Sequence, residues 1–228
     1  MRLVDVADAG AFLARLTGLD GAALVRLRAG TPDPAGEPRV ALWALLPWDV
    51  LVTRSVRGEV PGDATVGAAD LLARLARGAA ELPPRRDADW RWPVPPSAGR
   101  AVETVAAAEL RRVAAAAAGT LREAASSGVG GRSLGERVVR DALLDHVAIV
   151  VTADSGERVE VTQRLVQAVV RMGFLGAAEP SVPRDSSEAL AQVRLAGRWV
   201  GIAAQYGTAW SRSAGQLAVR PVGIHTNG

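Results

Sequence analysis

The chain contains no lysine and no cysteine, only two histidines (His146 and His225) and one asparagine, Asn227. All 27 of its positive side chains are therefore arginine. These absences exclude a Schiff-base lysine, the lysine of a phosphate-binding loop, a thiolate nucleophile and a cysteine zinc site. A histidine-based triad or metal centre has very few residues to draw on. With no disulfide available, redox compartment leaves no trace in the sequence.

The calculated isoelectric point near 10.7 follows from the same scarcity. Net charge is only +3, and with no Lys, no Cys and a single Tyr almost nothing titrates between neutrality and the arginines. A nucleic-acid surface has to be argued from clustering of charge rather than from its total. An apolar run of roughly 18 residues, the length that spans a bilayer, is also missing. The best candidate, Val40 to Val52, is interrupted by Pro47 and Asp49. Asp5 and Asp8 stand where a signal peptide would be basic and then apolar, so the expectation is a cytoplasmic protein with no membrane contact.

What is present reads as α+β: two small antiparallel-sheet units with flanking helices, possibly an internal pseudo-repeat. Residues 1–82 form the first unit, α-β-β-β-α, with a helix from Val6 to Leu16 and strands at Ala23–Arg28, Arg39–Leu46 and Asp49–Val56. Thr65 is placed to cap a helix running to Arg77. Residues 83–101 are a Pro/Trp-rich linker or strap, because Pro83, Pro84, Pro93, Pro95 and Pro96 cannot sit inside a helix or a central strand. Residues 102–228 form the second unit, α-α-β-β-α-β-β. It comprises an alanine-rich helix from Val102 to Ala125, a helix capped by Ser133, strands at Val147–Thr152 and Arg158–Val161, and a helix from Thr162 to Met172. A hairpin of Leu190–Leu195 and Trp199–Ala204 turns at Gly197. Asp49–Asp87 parallels His146–Asp185 at an offset of 97 to 98 residues, including Gly78-Ala79-Ala80-Glu81 against Gly176-Ala177-Ala178-Glu179. That parallel predicts two superposable β-β-α segments.

Candidate chemistry is sparse. Gly128-Val129-Gly130-Gly131 precedes a helix but follows one too, the wrong context for a nucleotide loop, and reads as a helix-to-helix turn. Asp141 and Asp145 lie four apart beside His146, a spacing that could hold a hard cation, although solvated aspartates and a histidine at a helix end explain it as well. No cofactor and no metal is expected. The binding candidates are Arg164, Gln167 and Arg171, a polar stripe along one helix, together with Arg194, Arg198 and Trp199. Arg194, Arg198 and Trp199 belong to a region without acids after Glu188, where Arg194, Arg198, Arg212 and Arg220 are interleaved with Trp199, Tyr206 and Trp210. Trp48, Trp90 and Trp92 are the candidates for docking a partner.

Three functions follow. The first is a non-enzymatic protein-interaction or assembly module, an adaptor or homodimer, with a protein partner or self-association. The second is a nucleic-acid-binding regulator using the 163–172 helix and the 190–204 hairpin. The third is an enzyme that clamps an anionic substrate with arginine, for which no general base is evident.

Overall fold

In the computed structural model, residues 1–96, 99–127, 136–153, 155–176 and 189–213 are described. The elements are β1 (Arg2–Leu3), α1 (Val6–Leu19), β2 (Leu24–Ala29), β3 (Arg39–Leu45), β4 (Leu51–Glu59), β5 (Ala64–Gly67), α2 (Ala68–Ala76) and a 3-10 turn at Asp87–Asp89. After these come β6 (Arg100–Ala106), α3 (Ala107–Ser127), α4 (Glu136–Asp145), β7 (Val147–Thr152), β8 (Arg158–Thr162), α5 (Gln163–Arg171), β9 (Leu190–Ala196), β10 (Trp199–Ala204) and β11 (Gly207–Arg212). The α+β reading with antiparallel sheets holds.

Four strands escaped the sequence reading, the first of them the two-residue β1. Ala64–Gly67 is a strand, not the approach to a Thr65 cap, and Gly67 occupies the N-cap of α2. Arg100–Ala106 is a strand too, so the alanine-rich helix begins at Ala107 and not at Val102. Gly207–Arg212 adds a third strand to the last hairpin. Thr162 does sit at the N-cap of α5, but its side chain makes no capping hydrogen bond. The Gly128–Gly131 turn, the Ser133 cap, Arg220 and His225 lie outside the described residues.

The sheet path runs β5-β2-β3-β4-β11-β10-β9-β6, with β1 on the free end of β4, and β7–β8 make a separate ribbon. This path is palindromic. A β2–β3 pair followed by β4 on one side faces a β9–β10 hairpin followed by β11 on the other, and β4 meets β11 antiparallel at Val52↔Ala209. Each triplet is preceded by a strand and a helix, β1-α1 or β8-α5, and each is flanked by an edge strand that runs directly into a helix, β5-α2 or β6-α3. The pseudo-repeat is therefore an α-β-β-β motif spanning 6–59 and 163–212, whose preceding strands differ, since β1 pairs with β4 whereas β8 pairs with β7. The proposed match of 49–87 with 146–185 does not hold, because β7 and β8 pair with each other whereas β4 and β5 do not. Through the β4–β11 junction the two units share one continuous sheet.

Strand alternation separates the two faces of that sheet. Val25, Leu27, Val40, Leu42, Val52, Val56, Val193, Val200, Ile202 and Ala209 point into a core completed by Phe12, Leu13 and Leu16 of α1, Leu71 of α2, Leu110 of α3 and Leu165 and Val169 of α5. Each such fully buried aliphatic or aromatic side chain contributes about 1.5–3 kcal/mol. Among the described residues, none of the helices of this core packs on the other face. Leu51, Ala196 and Trp210 form a smaller cluster there, edged by Trp43, Leu45, Trp90 and Trp199. Gly201 makes this possible: a Cβ at that position would collide with three atoms of the Trp210 indole, so the indole lies on bare backbone.

Candidate functional site

The Pro/Trp strap covers part of the helix-free face. After α2 it runs along the edge strand β5, where the Arg86 amide donates to the Thr65 carbonyl (2.7 Å) and the Thr65 amide donates to Asp87 Oδ1 (2.7 Å). The sheet edge is thus satisfied by the strap itself. Arg26 on β2 forms a two-pronged ion pair with Asp63 (2.7 Å on each arm) and sits 5.7 Å from the Trp90 ring centre. Trp90 then packs with the smaller cluster and donates its indole N–H to the Trp92 carbonyl at 2.6 Å, with the two rings edge to face 5.9 Å apart. Trp92 itself is left 39% exposed.

Two carboxylates in this framework sit below their ordinary pKa of 3.8. Asp87 is lowered first by the Thr65 amide and then by Arg85, and Asp5 by the side chain and then the backbone of Arg57. A depressed carboxylate contributes stability that is complete above its unfolded pKa and disappears as pH falls through the folded value. The thermal midpoint is therefore expected to be insensitive to these two groups from pH 5 to 7 and to fall below about pH 4. In Asp87→Asn part of that acid limb should disappear, which thermal melts by circular dichroism across the pH series check.

Beside the strap opens a cleft of about 730 Å³. Its walls come from Arg91, Trp92 and Pro93 of the strap, Leu45, Asp49 and Leu51 around the β3–β4 turn, and Trp199, Ser211 and Arg212 at the ends of β10 and β11. Asp145, Glu160, Thr162 and Arg164 of the β7–β8 ribbon and its neighbours close the remaining side. Asp49 adopts φ +62°, a left-handed conformation that aspartate tolerates better than most residues. Three arginines thus face three acids, but unevenly. Arg164 is paired with Asp145, whereas Arg212 lies 5.2 Å from the Trp199 ring centre and has no carboxylate partner among the described residues. The result is two indoles and a guanidinium around an open cleft.

The structure brings Arg164, Trp199 and Trp92 to this cleft and places the other expected residues elsewhere. Trp48 and Arg164 clasp one another: the indole N–H donates to the Arg164 carbonyl (3.1 Å) and the guanidinium donates to the Trp48 carbonyl (2.8 Å). Arg171 lies 5.7 Å from the Trp48 ring centre, and Gln167 donates to the Ala114 carbonyl of α3 at 3.1 Å. The helical stripe Arg164, Gln167, Arg171 therefore makes contacts within the chain. Arg194 bonds to Gln192 and to the Gly99 carbonyl. Arg198 is exposed at the β9–β10 turn. Asp141 and His146 lie on the open surface, and only Asp145 of that trio reaches the cleft. Among the described residues no group of His, Asp and Glu has the arrangement to hold a metal. Sequence reasoning did not place Asp49, Thr162 or Arg212 in a site; Arg212 was visible only as one of the arginines in the acid-free stretch.

Comparison with known proteins adds the following. Residues 2–93 match the family described as Domain of unknown function (DUF8010), and residues 94–216 match Domain of unknown function (DUF8185). The junction between them falls in the strap, between Pro93 and Val94. No curated protein matches the sequence. Solved structures similar to the chain include the DNA polymerase sliding clamp of Pseudomonas aeruginosa (TM-score 0.47, 13% identity, covering 96% of this chain and 67% of that one). The sliding clamp of Caulobacter crescentus is similar at TM-score 0.45 and 11% identity, covering 91% of this chain and 63% of the clamp. A further Caulobacter crescentus structure, pol III beta, gives TM-score 0.46 and 14% identity over 93% and 65% of the two chains. This chain spans about two-thirds of the length of those clamps. With more than half of its residues matched by that one family, the chain belongs to the DUF8185 family.

Proposed function

We propose that the chain is a non-enzymatic cytoplasmic interaction module that takes an extended segment of a partner protein, or of a second copy of itself, into the cleft beside the strap. The observation that carries this reading is the meeting of Trp92, Trp199 and Arg212 around an open space of about 730 Å³. Tryptophan and arginine are the residue types whose truncation most often costs an interface about 2 kcal/mol or more. Nothing convergent enough for acid-base chemistry accompanies them. The groups whose pKa values move, Asp5, Arg26, Arg57 and Asp87, are engaged in ion pairs of the framework and lie outside the cleft. A nucleic-acid reading finds less support, since Arg164, Arg171, Gln167 and Arg194 already have partners that a phosphate would have to displace.

The test is a photo-cross-linking side chain at position 92, introduced in the native host, with position 77 on the exposed end of α2 as control. One discrete adduct is expected from 92 and none from 77; Arg212→Ala should reduce its yield at least ten-fold without lowering the melting temperature, and Trp199→Ala should reduce it as far at a temperature well below its own melt. Equal adducts at both positions, or an unchanged adduct in both alanine variants, would remove the cleft from consideration. Binding to generic DNA or RNA that weakens steeply as salt rises would favour the nucleic-acid reading instead.

A further inference from the structure

A second opening lies on the helical side of the sheet, and it goes beyond the cleft and its proposed role. It is a groove of about 310 Å³ between α1 and the chain leaving α5, lined among others by Asp8, Phe12, Arg15, Arg54, Phe174 and Tyr206. Arg54 projects from the inward face of β4, between the core residues Val52 and Val56, and is only 9% exposed. Its two terminal nitrogens donate to Asp8 and to the Tyr206 carbonyl, and its guanidinium lies 5.0 Å from the Tyr206 ring centre. Its Nε is buried with no partner.

A guanidinium withdrawn from water needs an anion held equally well. Asp8 does this only in part, because half of its side chain (51%) remains in solvent. A second cation aggravates the imbalance. Arg15 stands seven residues after Asp8, and so on the same stripe of α1. Its guanidinium occupies the space above Gly173, where a Cβ would come within 2.7 Å of it, and it has no ion pair or hydrogen bond among the described residues. Gly173 also holds φ +67°, so the loop both requires glycine and leaves room for the guanidinium. Two guanidiniums and one carboxylate thus surround an accessible groove that backs onto the core at Phe12, Phe174 and Met172 and exposes the Tyr206 ring along its side.

We propose that this groove binds a carboxylate carried on a short apolar stem, seated between Arg15 and Arg54 with its stem against the exposed Tyr206 ring. The anion supplies the charge that Asp8 supplies only in part. A small dicarboxylic acid and a glutamate side chain of a protein present the same chemistry, and the experiment separates them.

The 15N-labelled full chain is titrated with succinate and, separately, with a capped peptide containing one glutamate, following the Arg54 Nε–H and the Gly173 and Gly176 amides. Saturable shifts are expected with at least one of them, and the tighter arm identifies the source. Charge-assisted hydrogen bonds predict that Arg15→Gln weakens binding about ten-fold or more, with Arg15→Lys intermediate. Because Arg15 is exposed, both variants should fold, which keeps the comparison clean. The proposal is overturned if neither probe saturates, if Arg15→Gln binds as tightly as the parent, or if neutral succinamide or inorganic phosphate produces the same shifts.

Discussion

Gly207→Ala is expected to lower stability by about 3–5 kcal/mol, the sum of a severe overpacking and a strained backbone. Gly207 opens β11 at φ +155°, and a Cβ there would stand 2.6 Å from the Phe174 ring and 2.7 Å from the Thr53 carbonyl of β4. Neither neighbour can yield easily. Phe174 is 1% exposed in the main core, and Thr53 belongs to the ladder where β4 meets β11. For a chain of this size the loss corresponds to a fall in melting temperature of about 10 °C or more. Gly10→Ala supplies the contrasting control. Gly10 lies inside α1 with nothing within 4 Å of its would-be Cβ, so alanine should stabilise by about 0.5–1 kcal/mol through helix propensity alone. Urea unfolding of the two variants should move in opposite directions, and a neutral Gly207→Ala would show that the β4–β11 junction relaxes more readily than its packing indicates.

Trp48→Ala is the second change with a large expected effect, about 2–3 kcal/mol, the low end for a tryptophan truncation because the indole is half-buried against the main core. The indole stands in the β3–β4 turn of the first unit, yet its hydrogen-bond partner and its cation are Arg164 and Arg171 of α5 in the second. Removing it empties the contact and leaves the Arg164 carbonyl without its indole donor, while the Arg164 guanidinium keeps the carbonyl of residue 48. A double-mutant cycle of Trp48→Ala with Arg171→Ala should give a coupling of about 0.5–1 kcal/mol, the range for a cation over an indole at a partly exposed site. Additive single effects would show that this side-chain contact contributes nothing beyond its separate parts.

These two positions illustrate what was readable in the residues and what was not. Strand β2 announces itself by alternation of apolar and basic residues, β3 and β4 by their richness in Val, Leu and Trp on either side of Pro47-Trp48, and α5 by its apolar stripe. Ala64–Gly67 is only four residues long and passes directly into α2, so Thr65 looks like a helix cap. Arg100–Ala106 runs without a break into alanines of high helical propensity, which hides the strand in the helix that follows. Neither the β4–β11 pairing nor the palindrome has any local signature, since both depend on strands far apart in sequence. At the site, Trp92, Trp199 and Arg164 were identifiable by type and neighbourhood. Their separation into cleft-lining and bracing roles was not, because an arginine that holds a carbonyl and one that waits for a ligand read alike. Arg54 carried a usable signal: it is the one charge among the inward positions Val52, Arg54 and Val56 of β4.

The palindromic sheet also sets a timetable. Val52 of β4 waits for Ala209 of β11, which is among the last described residues of the chain. At synthesis rates of about 5–20 residues per second, the central edge of the first unit stays unpaired for on the order of 10 s after it leaves the ribosome. During that interval β4 presents free backbone groups and the apolar faces of Leu51 and Val52, the conditions under which strands add to the wrong neighbour. The same join that makes one sheet of two units leaves the first of them, for several seconds, as a template in search of a strand.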